Sequence, residues 1–209
     1  MTPPNPLMLY VVPVNLSRYS LPSLPLLEET IRNMGVPDVK VEFLPPIYVP
    51  DITVDRITCP HFRIIYEKLR EKQQLTDEER ERLFGCLCWL YCPAVLTACI
   101  QEYRKLNNVP EDAIFVLFFP RPPYVAWKDG TPYCASRADT KNNIIYVVDL
   151  ASIVHELGEL LLVKYAGLKD AHCKSNTPWC ALKSQPDTPK APMLCEECKR
   201  RIKALWGEA

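Results

Sequence analysis

The sequence predicts an α+β fold in one domain: a mixed sheet, a helix bearing candidate metal ligands, and a C-terminal four-cysteine site. Three observations predict it. Apolar, β-prone runs at residues 7–14, 39–44, 113–119 and 144–148 are interleaved with segments of helical spacing. One helical segment carries His155-Glu156-Leu157-Gly158-Glu159. Beyond it come His172-Cys173, Cys180 and Cys195-Glu196-Glu197-Cys198.

Residues 1–50 read as a β-α-β start. The run 7–14 is followed by helical spacing over 24–34, which Gly35 and Pro37 stop, and then by alternation over 39–44 before Pro45-Pro46. Two strands joined through a helix lie parallel, with the helix crossing one face. Residues 51–110 read as helical, with Thr76 as a cap and Asp77, Glu78 and Glu79 in the first turn. Within them residues 83–100 carry no charge over 18 positions, the lower limit for a membrane span. Pro93 would interrupt such a span, and a bilayer there would separate strands that look like parts of one sheet. A buried, Pro-kinked core helix is therefore expected, and no membrane.

Residues 111–170 hold the remaining strands and the candidate active-site helix. Residues 113–119 form an apolar strand, and 124–127 read as a short edge strand before the Asp129-Gly130 turn. Asp149 caps a helix in which Leu150, Ile153, Val154, Leu157 and Leu161 recur at helical spacing. Residues 171–209 form the cysteine subdomain, with a Pro-rich loop at 186–192 and a closing helix over 196–206.

Lys+Arg and Asp+Glu both number 25, so no overall field points to nucleic acid or an anionic membrane. Ten cysteines would suit a disulfide scaffold, but residues 1–14 lack a basic lead and an unbroken apolar run. The expected compartment is the cytoplasm, where a C-x-x-C pair reads as a metal site rather than a disulfide.

On a helix His155 and Glu159 are four apart and project from one face, the spacing with which two side chains grip one ion. Glu156, one residue on, is placed to accept a proton from water without ligating the metal. Against this stands a plain solvated polar pair, because the usual motif ends in histidine. Cys195 and Cys198 form a zinc half-site, which Cys173 and Cys180 complete as a closed tetrahedral set. The rival is four unrelated buried cysteines. Cys88, Cys92 and Cys99 share a helical face with Cys86 nearby, an arrangement that a cluster site could use; the favoured reading of these, of Cys59 beside His61, and of Cys134 is as small hydrophobes.

The order His-Glu-x-x-ligand, His-Cys, Cys, Cys-x-x-Cys resembles the archaemetzincins, whose motif is His-Glu-x-x-His-x-x-Gly-x-x-His-Cys followed by a Cys-x-Met turn and Cys-x-x-Cys. The resemblance implies a zincin-like fold, a catalytic zinc and a structural zinc on four cysteines. Carried over by position, His155 is the first ligand, Glu156 the general base, and Glu159 stands where the second histidine belongs. His172-Cys173 matches the third ligand and first thiolate, and Cys180-Ala181-Leu182 matches the Cys-x-Met turn with Leu182 in place of Met. The third ligand comes late, thirteen residues after Glu159 where the family has six. Seven extra residues add roughly 10 Å of helix. Gly167 is the expected stop, and residues 167–172 reach back roughly 17 Å at full extension. Either the loop returns and His155, Glu159 and His172 form one site, or His172 merely flanks the thiolates. Tyr165 stands where an uninserted third ligand would fall and is expected to pack on the helix.

The leading expectation is a zinc-dependent peptidase with Glu156 as base and residues 124–127 receiving substrate. The alternative is a catalytically inactive, zinc-stabilised module that binds protein or nucleic acid. Lys199, Arg200, Arg201 and Lys203 carry the nucleic-acid version, although cations at a helix end favour the dipole in any case. The expected partner is a peptide or protein, and the chain is expected to be a monomer.

Overall fold

Strand β1 (Leu7–Pro13) is apolar nearly throughout because both of its faces are covered. Leu7, Leu9 and Val11 point into one core, and Tyr10 and Val12 into another on the opposite face. The structure is a computed structural model of the chain. It describes residues 2–48, 68, 71, 73–74, 76, 93–120, 124–128, 131–183 and 192–207, with backbone alone at 93–96, 124–128 and 131–135.

The β-α-β start is observed. Helix α1 (Leu24–Asn33) buries Leu27 and Ile31 and leads to β2 (Val39–Phe43), which pairs parallel with β1 in the register Leu9↔Val41. On its other side β1 pairs parallel with β3 (Ile114–Phe118). Strand β4 (Tyr124–Lys128) pairs antiparallel with β5 (Thr131–Ala135) in a two-stranded sheet of their own. Strand β6 (Arg137–Asp139) runs antiparallel to β7 (Ile144–Val147), which lies parallel to β3, so the main sheet has the order β2-β1-β3-β7-β6. The predicted α+β architecture with a mixed sheet is thus the observed one.

The segment 124–127 is a strand as expected, but it belongs to the ribbon with β5. The edges of the main sheet are β2 and β6, and the sequence did not announce β6. Arg137-Ala138-Asp139 is short, polar and partly exposed, so it has no apolar alternation to read. Much of the expected helical region lies outside the described residues, including Cys59, His61, Cys86, Cys88 and Cys92. Helix α2 (Pro93–Asn107) is described; it places Ile100 and Tyr103 on the second face of the sheet, with Cys99 half-buried. Among the described residues, no helix is long and apolar enough to cross a membrane.

Helix α3 (Leu150–Ala166) lies on the first face. Asp149 caps it by accepting from Ser152 N at 2.7 Å, while Ser152 Oγ receives the Asp149 amide at 3.0 Å, a reciprocal capping box. The sequence reading found Asp149 and missed Ser152. Gly167 ends the helix at φ 68, and the amides of Gly167 and Leu168 both reach the Leu162 carbonyl. Helix α4 (Glu196–Lys203) continues into a 3-10 turn at Ala204–Trp206. It docks on the end of α1 at Gly35 (φ +101), where an added Cβ would stand 2.9 Å from Lys203 Cγ and 3.0 Å from the Lys199 carbonyl. The Trp206 indole donates to the Pro4 carbonyl at 3.2 Å, tying the two ends of the chain together.

Candidate metal centres

His155 and Glu159 lie one turn apart on α3, with Nε2 and Oε2 separated by 3.9 Å. The chain beyond Gly167 turns back. It brings His172 against them, its ring centroid 5.6 Å from that of His155. One donor atom from each of His155, Glu159 and His172 falls within 4.8 Å of the others.

Each imidazole is held from behind. His155 Nδ1 lies 2.6 Å from the Ala181 carbonyl and His172 Nδ1 lies 2.8 Å from Asp170 Oδ1. A carbonyl or carboxylate oxygen only accepts, so both Nδ1 atoms carry the hydrogen, and in the neutral rings both Nε2 atoms present lone pairs. Metal-bound histidines are oriented in this way, the second nitrogen fixed by a carbonyl or carboxylate. Around an ion with bonds of about 2.0–2.1 Å, tetrahedral N and O donors stand about 3.3 Å apart. The 3.9 Å pair contracts to that with a small side-chain movement. Two neutral imidazoles and a carboxylate are a fitting set for zinc. His155 is 8% exposed and Glu156 4%, whereas Glu159 and His172 are half-buried.

Cys173, Cys180, Cys195 and Cys198 converge as the spacing predicts, all buried and with Sγ atoms within 4.8 Å of one another. Cys173 and Cys195 are 3.6 Å apart at sulfur, too far for a disulfide and close to the roughly 3.8 Å edge of a tetrahedron with bonds of about 2.3 Å. The Cys195 amide donates to Cys180 Sγ at 3.4 Å, and Ser175 Oγ lies 2.9 Å from Cys173 Sγ. Hydrogen bonding from Cys198 brings the Cys180 thiol down to about 5, while the same pairing together with burial drives Cys198 up. Burial raises Cys173 as well. A soft dication is the chemistry that lets all four ionise together.

One stretch of chain builds both groups. His172 and Cys173 are adjacent, Cys180 precedes the carbonyl that holds His155, and the Cys173 amide bonds to the Leu182 carbonyl at 2.9 Å. Leu182, in the turn matched to Cys-x-Met, is fully buried and would meet a Cβ on Gly158 at 3.1 Å. Sequence reasoning did not find Asp170, Ser175 or the Ala181 carbonyl. An aspartate two residues before a candidate ligand was the signal for Asp170. A backbone carbonyl leaves none.

Tyr165 packs in the core with 8% exposure, as expected for a residue that helix α3 simply continues through. The basic cluster is largely engaged at home. Lys199 pairs with Glu196 at 2.8 Å, Arg201 reaches Cys198 Sγ at 4.0 Å, and the Lys203 stem lies against Gly35.

Fold and site define an α+β protein with a helix-borne His/Glu group and a buried four-thiol cluster, each able to hold a metal ion. No family model and no curated protein matches the chain. Among solved structures it is similar to archaemetzincin from Methanopyrus kandleri, at 15% identity over 95% of each chain and a TM-score of 0.47.

Proposed function

We propose that the chain is a zinc-dependent peptidase, with His155, Glu159 and His172 as ligands of a catalytic ion and the four cysteines as ligands of a structural one. The observation that carries this reading is the convergence of two Nδ1-anchored imidazoles and a carboxylate within 4.8 Å. A zinc ion held there supplies Lewis acidity and brings the ionisation of water from about 15.7 to about 7. His155 and His172 keep Nε2 available because their Nδ1 hydrogens are committed to Ala181 and Asp170. Glu156 takes the proton of the attacking water and passes it to the leaving amine. The four thiolates fasten α4 and the 171–182 segment to the core by metal rather than by burial alone.

A second reading, a metal-stabilised binding module without hydrolysis, is favoured by the burial of Glu156 at 4% exposure. The two readings separate on Glu156→Gln. With a library of short peptides as substrate, the peptidase reading expects cleavage that this variant lowers by about 10²-fold or more, with metal content unchanged. No cleavage by the zinc-loaded parent chain leaves the module.

A further inference from the structure

We propose that Asp170 is a positioning residue that makes His172 a ligand, an inference that rests on the ligand set proposed above. His155 needs little help, since its backbone is helical and its ring is buried against Ala181. His172 stands on a loop, with its side chain 35% exposed. A histidine so placed samples several rotamers and can offer either nitrogen, at an entropic cost that weakens any ion it holds.

Asp170 removes both freedoms through one oxygen. Its Oδ1 accepts from the His172 amide at 3.1 Å and from His172 Nδ1 at 2.8 Å, so backbone and ring are locked to the same atom. The other oxygen, Oδ2, lies 3.7 Å from Lys174 Nζ, so the two oxygens have separate partners. Next to them Ala171, 1% exposed, pins the loop into the core. Ring rotation and tautomer are thereby set together, and with Nδ1 committed to Asp170, Nε2 is the nitrogen left to ligate. The extra residues after Glu159 thus bring their own orienting carboxylate along with the late histidine.

The test loads the full-length chain with cobalt(II), whose thiolate charge-transfer bands report the cysteines separately from the d–d bands of a nitrogen/oxygen site. Asp170→Ala is expected to weaken cobalt binding at the nitrogen/oxygen site by about 10–100-fold and to leave the thiolate bands intact. Asp170→Asn, whose Oδ1 still accepts both hydrogens, is expected to restore most of that affinity. Nitrogen-15 spectra of the histidine rings, recorded without metal at this site, should show His172 as the Nδ1–H tautomer in the parent chain and in Asp170→Asn, and as a mixture in Asp170→Ala. Unchanged affinity and tautomer in Asp170→Ala, equal loss in the Ala and Asn variants, or loss of the thiolate bands as well would each overturn the proposal. A parent chain that shows the tautomer yet binds no cobalt outside the cysteines overturns the peptidase reading instead.

Discussion

The carbonyl oxygen of Ala181 lies 2.6 Å from His155 Nδ1, and Ala181 directly follows Cys180, a member of the four-thiol cluster. A ligand of one candidate centre is therefore oriented by the backbone of the other. His172 and Cys173 repeat the connection from the opposite side. With two such joints, the geometry of each group bears on that of the other.

The first prediction is coupling. Cys198→Ser, or a thiol-selective chelator, should lower metal affinity at His155, Glu159 and His172 by about 5–150-fold although none of those side chains is altered. Competition with a metal indicator measures it. A nitrogen/oxygen site that keeps its affinity after the cysteines lose their ion would disprove the connection.

Leu182 is the packing residue beneath this junction, fully buried and fitted against Gly158. Leu182→Ala should destabilise the zinc-loaded chain by about 2–5 kcal/mol, from lost transfer energy and the cavity left behind. Urea unfolding gives the value. A cost under about 1 kcal/mol would mean that the turn at 180–182 closes over the gap without help from this side chain.

Among the described residues, the buried Tyr165 hydroxyl has no hydrogen-bond partner. Tyr165→Phe removes a polar atom that gains nothing from its surroundings, so stability should be unchanged or rise by up to about 1 kcal/mol. Metal content should stay the same. A loss of metal in Tyr165→Phe would contradict its role as a packing residue.

Tyr146 lies on the second face of the sheet, 1% exposed, and burial lifts its hydroxyl from 10.0 to about 12. The folded chain thus holds this proton more tightly than the unfolded one. The resulting stabilisation, about 2–3 kcal/mol, is complete below pH 10 and disappears as pH rises from 10 through 12. Alkaline unfolding should fall in that window, and Tyr146→Phe should move it upward.

What the sequence made legible was what period and spacing encode. The apolar runs of β1, β3 and β7 stood out because a sheet covered on both faces needs no polar alternation. Asp149 and Gly167 marked the ends of α3 by chemistry specific to those positions. The four cysteines declared themselves because few other uses of four thiols fit their spacing. Strand β6 did not, because a three-residue polar edge carries no pattern. Nor did the closure of His172 onto α3, which depends on how a loop of fixed length folds back. The two atoms that orient the histidines were hidden for different reasons: one belongs to the main chain, the other to an aspartate that reads equally well as a turn residue.

Counting metal per chain tests the central claim most directly. The protein is purified with zinc present, dialysed free of loosely held ions, and analysed alongside His172→Ala and Glu159→Ala. Two zinc ions per parent chain and one in each variant, with the thiolate-bound ion retained, is the predicted result. One ion per chain in all three would contradict it, because the His155, Glu159 and His172 group would then hold none.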